Sequence, residues 1–590
     1  MRGLKKLLKS SNNVISGVAA APGLVIGKAH LYHREILYVG DQDIENEDVE
    51  EAVAAFIEAI AKAKKELTKI FDLAKEKMGD KRAEIFSAQL MIMDDPVLIR
   101  VIENRIRTEK KLPEYIVDSE ISKYADMLVV ADEFYLKERA LDIEDIRNRI
   151  IRNLQKKRLQ SSITPGVIVV SETLTPADTI LFSKSDVKAF VTDRGGLTSH
   201  AAIIARSLDI PAIVGSHDAS HRVQQDDLLV IDGFNGYIFV NPTAVQLEYF
   251  SEKIQLMQQI NTDMKDLIGL PSETIDGRAI TILANVDVTG EIAAVVVNNA
   301  KGIGLYRSEQ IIEELGELPD ENEQFEIYSK LADRIYPEII TIRAFDIGGD
   351  KVKIWEFKEA NPFLGLRGIR FLLENEGIFK KQLRAVLRAN INNNIKLMIP
   401  MISTKQEVTR VKNILADCER ELREENIPHS KKIKLGVMIE VPSAALMVEE
   451  IAAEVDFLSI GTNDLIQYIM AVDRGNDQVA GLYQEFHPAV LRTLSHIIKG
   501  CEKIGKPVSM CGEMAADNQA IPLLIGLGLK EFSVSPSAIL PVKRTIRSVS
   551  FSRAEALAEK CLACSEEEEV VSYLKSFFEF EHIPRTRTIL

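Results

Sequence analysis

Ile433-Lys434-Leu435-Gly436-Val437-Met438-Ile439-Glu440 and, one helical stretch later, Asp456-Phe457-Leu458-Ser459-Ile460-Gly461-Thr462-Asn463-Asp464 are two short apolar runs that each close on a carboxylate. Runs of this length, bounded by turn residues, read as strands buried on both faces. The pattern repeats. Thr281–Val286, Gly302–Arg307, Glu338–Arg343, Ile395–Met401, Pro507–Glu513 and Glu531–Pro536 are further runs of the same kind, each followed by a helical stretch. Eight strands alternating with helices have the count and spacing of a (β/α)8 barrel. An open α/β sheet is the alternative. The barrel is favoured because the reactive residues fall at the carboxyl ends of the runs, where barrel active sites lie.

Upstream the texture changes. Gln246–Ile268 has no Pro or Gly, and Leu247, Phe250, Ile254, Met257, Ile260, Met264 and Leu267 recur at helical spacing, so it reads as a helical connector. Val14–Val39 reads as short strands punctuated by Gly17, Gly23 and Gly27. Gly166–Val170, Ala189–Thr192, Leu228–Ile231 and Gly236–Val240 are also β-rich. Between these two strand regions, Asp41–Arg152 is helical. Val49, Val53, Phe56, Ile57, Ile60, Ala63, Leu67, Ile70 and Ala74 form one long apolar stripe in it. Strands on both sides imply a helical block inserted into one α/β domain.

Composition bounds the class. The chain has 590 residues, 46% hydrophobic and 27% charged, which suggests about three or four domains. No run of roughly 18 apolar residues is present, so no membrane insertion is expected. Five cysteines are too few for a disulfide scaffold and point to a reducing, cytoplasmic setting. A net charge of −15 argues against nucleic acid as a partner. Asp41–Arg152 alone holds 27 acidic and 19 basic residues, a net −8.

Asp193-Arg194-Gly195-Gly196-Leu197-Thr198-Ser199-His200-Ala201-Ala202 follows the run Ala189–Thr192. Paired glycines allow a tight turn, and Thr198 and Ser199 are good helix N-caps. His200 then sits at a helix amino terminus, where free N–H groups and the dipole favour an anion. The same field disfavours imidazolium and leaves a neutral, nucleophilic imidazole. Such a turn with one histidine, met alone, is more often structural. In the barrel, Arg307, Arg343, Arg367 and Arg474 stand near strand ends and suit a small dianion, since arginine grips phosphate or carboxylate bidentately. Glu440 and Asp464 come from neighbouring strands, and two carboxylates with open positions suit Mg²⁺; they could equally be ordinary rim acids. Cys511 ends the seventh run; an isolated cysteine is most often an inert buried residue, but here it would lie beside these arginines, which can tune it for proton transfer. Cys561 and Cys564 have no second pair and read as structural. Ser565-Glu566-Glu567-Glu568 after them reads as a capping box opening the last helix.

The stretch Asp193–Arg206 resembles the phosphohistidine signature of phosphoenolpyruvate-utilising enzymes, which include enzyme I of the bacterial phosphotransferase system, phosphoenolpyruvate synthase and pyruvate phosphate dikinase. With the barrel motifs in this order, the chain is similar to enzyme I from about Ser16 to Ser548. The resemblance implies an N-terminal swivelling α/β phosphohistidine domain (14–40 and 153–243) with an inserted helical HPr-binding subdomain (41–152). A helical linker (244–268) and a C-terminal (β/α)8 TIM barrel that binds phosphoenolpyruvate and forms the homodimer (269–590) complete it. It further implies that His200 carries the phosphoryl group as tele-phosphohistidine, with Thr179 in support. Arg307, Arg343, Asn463, Asp464 and Arg474 would bind substrate, with Arg367 a further contact. Glu440 and Asp464 would hold Mg²⁺, and Cys511 would protonate the enolate to give pyruvate. The group would then pass to a histidine of the carrier HPr, whose basic face suits the acidic helical block. One histidine serving two stations implies a rigid-body swing about the connector.

Ser308-Glu309-Gln310, Leu366 and a shortened Lys351–Asn361 depart from the usual family pattern and bear on loop shape and substrate affinity. An ATP-coupled synthase or dikinase would need a further nucleotide-binding domain, for which there is neither room nor a P-loop-type motif. A phosphoenolpyruvate-sensing regulator is the non-enzymatic alternative, and the intact set of His200, Glu440, Asp464 and Cys511 weighs against it.

Overall fold

The structure is a computed structural model that describes residues 13–33, 37–78, 80–129, 134–157, 163–197, 199–348, 359, 361–474, 476 and 478–580. The chain divides into two compact units, Met1–Gln258 and Gln259–Leu590.

In the first unit, β1 (Val14–Ser16), β2 (Val18–Ala21) and β3 (Leu24–Leu31) precede five helices. These are α1 (Val49–Met78), α2 (Asp80–Asp94), α3 (Pro96–Glu109), α4 (Pro113–Val129) and α5 (Phe134–Leu154). Then come β4 (Ile168–Ser171), α6 (Pro176–Phe182), β5 (Ala189–Thr192), α7 (His200–Ser207), β6 (Ala212–Val214), α8 (Ala219–Arg222), β7 (Leu228–Asp232) and β8 (Tyr237–Val240). The sheet order is β1-β8-β7-β3-β4-β5-β6-β2. Its centre, β3 to β6, is parallel, and β2, β7 and β8 pair antiparallel. The five helices leave the chain between β3 and β4, which are neighbours in the sheet, so they form an insertion.

The α1 stripe is buried from Val53 through Phe56, Ile60, Ala63, Leu67 and Ile70 to Ala74. Ile57 is the exception at 39% exposed: it lies one position past Phe56 and turns off the stripe. The helical core continues into Ala177 and Ile180 of α6 and Ile204 of α7, so the inserted helices pack on the elements that carry the histidine turn. Fully burying each such aliphatic or aromatic side chain contributes about 1.5–3 kcal/mol. β6 was missed in the sequence because three residues are too few to show a period. No strand extends over Leu37–Val39.

The connector is α9 (Ala244–Asp266), two residues earlier at each end than its apolar spacing suggests. Thr243 opens it, with Gln246 accepting from the Thr243 N–H at 2.9 Å. Phe250 packs on Phe239, and the Lys543 ammonium donates to the carbonyls of Leu267 and Ile268 at 3.1 Å beyond its last turn.

The second unit is a closed barrel of eight parallel strands: β9 (Thr281–Val286), β10 (Gly302–Arg307), β11 (Ile339–Arg343), β12 (Ile395–Ile399), β13 (Lys434–Ile439), β14 (Phe457–Ile460), β15 (Val508–Met510) and β16 (Glu531–Val534). All eight expected runs are strands, and β16 closes on β9. In the final helix the cap differs from the expected box. The helix starts at Glu567, and Glu569, rather than Glu568, reaches back to the N–H groups of Ser565 (2.9 Å) and Glu566. Four consecutive glutamates, Glu566 to Glu569, make that register ambiguous in sequence. Cys561 and Cys564 are both buried, as a structural pair would be.

Candidate functional site

The histidine turn is built from its buried base outward. Asp193 follows β5 and is 4% exposed. Its carboxylate accepts from Ser216 Oγ at 3.0 Å, from the Ser220 N–H at 3.1 Å and from Ser220 Oγ. This ties the start of the turn to the loop after β6. Gly195 has φ +110°, a conformation that disfavours any side chain. Ser199 then caps α7: its Oγ faces the Ala202 N–H at 3.4 Å and donates to the Gly196 carbonyl at 2.8 Å. His200 is the first residue of α7, as its sequence context requires. Thr198 and the His200 side chain lie outside the described residues. Thr179 is fully buried in α6, and its hydroxyl donates to the Thr175 carbonyl at 3.0 Å.

The barrel's carboxyl-terminal mouth contains a cleft of about 310 Å³. Arg307, Arg343, Glu440, Asn463, Asp464, Arg474 and Cys511 all line it, so residues spread over some 200 positions of sequence meet in one cavity. Arg367, expected with them, does not reach the cleft wall. It is fully buried, with its guanidinium between Asp346 and Asp464.

The charges are strongly organised. Arg307 Nη1 donates to both Asp287 oxygens at 2.9 Å. Arg343 is 4% exposed, pairs with the buried Glu309 and lies 3.4 Å from Asp346. Burial alone would lower the pKa of Arg343, but Glu309, Asp346 and Glu440 outweigh it and hold the guanidinium charged. Glu440 is 1% exposed and accepts from the Met401 N–H at 2.6 Å. Burial, then the neighbouring Asp464 and Asp346 carboxylates, push its pKa up to about 7. A Cβ on Gly461 would lie 2.8 Å from the Glu440 carboxylate, so glycine keeps that oxygen's space open. Two crowded carboxylates of which one resists ionisation are a donor set that a divalent cation would satisfy. Among the described residues there is no cluster of three or more metal-ligating side chains, so a divalent cation on this carboxylate pair would take its remaining ligands from water and substrate oxygens.

Asp464 and Asn463 open helix α10 (Thr462–Met470). The Asn463 amide is engaged: Nδ2 donates to Glu513 Oε1 at 3.1 Å, and Oδ1 accepts from the Glu513 N–H at 2.9 Å. Its backbone N–H lies in the first helical turn, where such groups have no intrahelical partner and favour an anion. Cys511 is 3% exposed, and its Sγ lies 3.7 Å from the Ile460 carbonyl. Burial raises the thiol's pKa, so it keeps its proton at neutral pH. Asn285 Nδ2 donates to the Cys511 carbonyl at 3.0 Å and is itself held by Ser533 Oγ at 2.7 Å.

Of the departures, Ser308 is buried and donates to the Arg343 carbonyl at 2.6 Å, Gln310 lines the cleft, and Leu366 is 41% exposed. Lys351–Asn361 lies outside the described residues apart from Glu359 and Asn361. Asp193, Glu309, Asp346 and Glu513 were not singled out from sequence. Each acts through a partner distant in the chain, and only Asp346, three residues after Arg343 in Arg343-Ala344-Phe345-Asp346, carried a local signal.

Three family models match. That of the phosphoenolpyruvate-utilising enzyme N-terminal region covers residues 16–139, the mobile domain 163–236, and the phosphoenolpyruvate-binding domain 261–551. The fold and cleft are thus those of a phosphoenolpyruvate-utilising enzyme. The chain is 41% identical over 568 residues to the phosphoenolpyruvate-protein phosphotransferase of Bacillus sp. (strain S), covering 96% of this chain and 98% of that one. It is 40% identical to the protein of the same name from Bacillus subtilis (strain 168), covering 96% and 99%. An NMR solution structure of Enzyme I (nEIt) is 41% identical and covers 41% of this chain and 99% of that chain, with a TM-score of 0.37. The chain belongs to the phosphoenolpyruvate-protein phosphotransferase family, whose members are transferases.

Proposed function

We propose that this enzyme transfers the phosphoryl group of phosphoenolpyruvate to His200, releases pyruvate, and passes the group to a histidine of HPr or a close relative. The observation that carries the reading is the convergence, in one barrel-mouth cleft, of three arginines, five carboxylates that include Glu440 and Asp464, and the Cys511 thiol.

Phosphoryl transfer passes through a loose transition state, so positioning and charge stabilisation are the main tools. Arg307, Arg343 and Arg474 hold the phosphate, and the Asn463 N–H at the start of α10 donates to the substrate. Glu440 and Asp464 would hold Mg²⁺, which when bound would offset negative charge on the substrate. Cys511 Sγ–H then gives its proton to the methylene carbon of the enolate, forming the methyl group of pyruvate and leaving a thiolate to be reprotonated from solvent.

On the carrier side, the inserted helices share a core with α6 and α7 and hold a net −8 between Asp41 and Arg152. A net acidic helical block that packs on the elements carrying the histidine turn suits a basic carrier. The barrel unit forms the homodimer. Among the described residues no helix is long and apolar enough to cross a membrane.

The test is incubation with phosphoenolpyruvate labelled in its phosphoryl group, Mg²⁺ and no ATP. Label on His200 that chases onto HPr is expected. Phosphoenolpyruvate binding without label on the protein would overturn the reading.

A further inference from the structure

Behind the cleft, Glu309, Arg343, Asp346, Arg367 and Asp464 form one buried file of alternating charge. Its inner half, Asp346 and Arg367, has no solvent exposure and does not line the cleft. Arg367 Nε and Nη2 donate to the two Asp346 oxygens, each at 2.9 Å. Nη2 and Nη1 donate to the two Asp464 oxygens at 2.8 and 3.4 Å. Four of the guanidinium's five N–H donors are therefore directed at carboxylates, and no bidentate edge is left for a substrate. Buried ion pairs are weak sources of stability, because desolvation offsets their attraction. A buried file of this length calls for another role.

The backbone is shaped to put Arg367 there. Gly348 and Gly368 have φ +100° and +58°. A Cβ on Gly348 would lie 2.0 Å from the Leu366 carbonyl, and one on Gly368 would lie 2.9 Å from Met401 and 3.3 Å from Asp346 Oδ1. The Gly368 N–H donates to the Ile347 carbonyl at 3.0 Å. The segment carrying Arg367 is thus clamped onto the segment carrying Asp346.

We infer that Asp346 and Arg367 are positioning residues: Asp346 orients Arg367, and Arg367 fixes the Asp464 carboxylate in the orientation that receives the divalent cation. The inference rests on the reading of Glu440 and Asp464 as the metal carboxylates. It reassigns Arg367 from substrate contact to support of the cation site. Outer-shell partners of this kind orient ligating carboxylates, and their loss typically weakens metal binding about 10- to 100-fold.

The sign of the effect separates positioning from simple electrostatics. Removing a positive charge beside a cation site should tighten binding if charge alone acts. Positioning predicts the reverse. The experiment titrates Mn²⁺, read by its electron paramagnetic resonance signal, into the full-length protein without phosphoenolpyruvate. Circular dichroism melts confirm folding. Arg367→Gln and Asp346→Asn are each expected to raise the Mn²⁺ dissociation constant at least tenfold, and the double variant to be no worse than the weaker single. Arg367→Lys, which keeps the charge but loses the fork, carries the same expectation if the glutamine variant does not fold. Unchanged or tighter binding in a folded Arg367 variant overturns the inference, as a purely structural role would shift only the melt. The control is Asp464→Asn: if it binds Mn²⁺ like wild type, or if wild type does not bind, the metal reading itself fails.

Discussion

Glu440→Gln should make the metal-free protein more stable, and the gain should depend on pH. The Glu440 carboxylate is 1% exposed, faces Asp464 and Asp346, and titrates near 7 in the folded chain against 4.5 for an ordinary glutamate. A raised carboxylate pKa means that the folded state holds the proton more tightly. The resulting stabilisation is fully present below 4.5 and is lost as pH rises through 7. At 1.36 kcal/mol per unit, the ionised carboxylate costs the native state about 3 kcal/mol at pH 8. Glutamine keeps an oxygen for the Met401 N–H, which Glu440 accepts at 2.6 Å, and carries no charge. In EDTA-treated protein at pH 8 the barrel's melting transition should rise by roughly 5 °C. At pH 5 most of the difference should vanish. Added Mg²⁺ should then stabilise wild type, by preferential binding to the native state, and leave the variant unmoved. A variant no more stable than wild type at pH 8, or a gain equal at both pH values, would refute the reasoning that crowding of the two carboxylates creates the demand for a cation.

Two further outcomes test other parts of the account. Cys511→Ala should slow net turnover by roughly 10²–10⁴-fold, the usual range for a general acid, while phosphoryl exchange between His200 and enolate persists; wild-type turnover in a pyruvate-release assay would remove Cys511 from the chemistry. Asp193→Asn should cost about 1–3 kcal/mol, because Ser216 and Ser220 lose a charged acceptor, and should speed amide exchange between Asp193 and Ser220 while the barrel's exchange stays unchanged.

Much of this molecule was legible in its sequence because local pattern and three-dimensional role coincide. Strands buried on both faces appear as apolar runs, and a barrel places its reactive residues where those runs stop. Glu440 and Asp464 are therefore placed at strand ends by the apolar runs alone. The helical insertion was visible because α1 keeps its apolar residues on one stripe over 30 residues. Arg367 shows where such reading runs out. A positive charge after a glycine-rich turn looks the same in sequence whether it faces the cleft or backs it. Its burial is decided by Asp346 and Asp464, 21 residues before it and 97 after it. Asn463 is similar: its sequence context leaves open a backbone or an amide donor to the substrate, and Glu513, 50 residues later, engages the amide. The three-residue β6 fell below the length at which a period can be counted. Glu569 rather than Glu568 caps the last helix, a choice that four glutamates in a row leave open in the sequence.

The central claim is that one imidazole takes the phosphoryl group from phosphoenolpyruvate and gives it up to another polypeptide. Mass-spectrometric mapping of labelled phosphate on wild type and on His200→Gln, each incubated with phosphoenolpyruvate, Mg²⁺ and HPr, tests it most directly. Wild type should carry the label at residue 200 and charge HPr, and the glutamine variant should do neither. Charging of HPr by the variant, or label on any other residue of wild type, would contradict it.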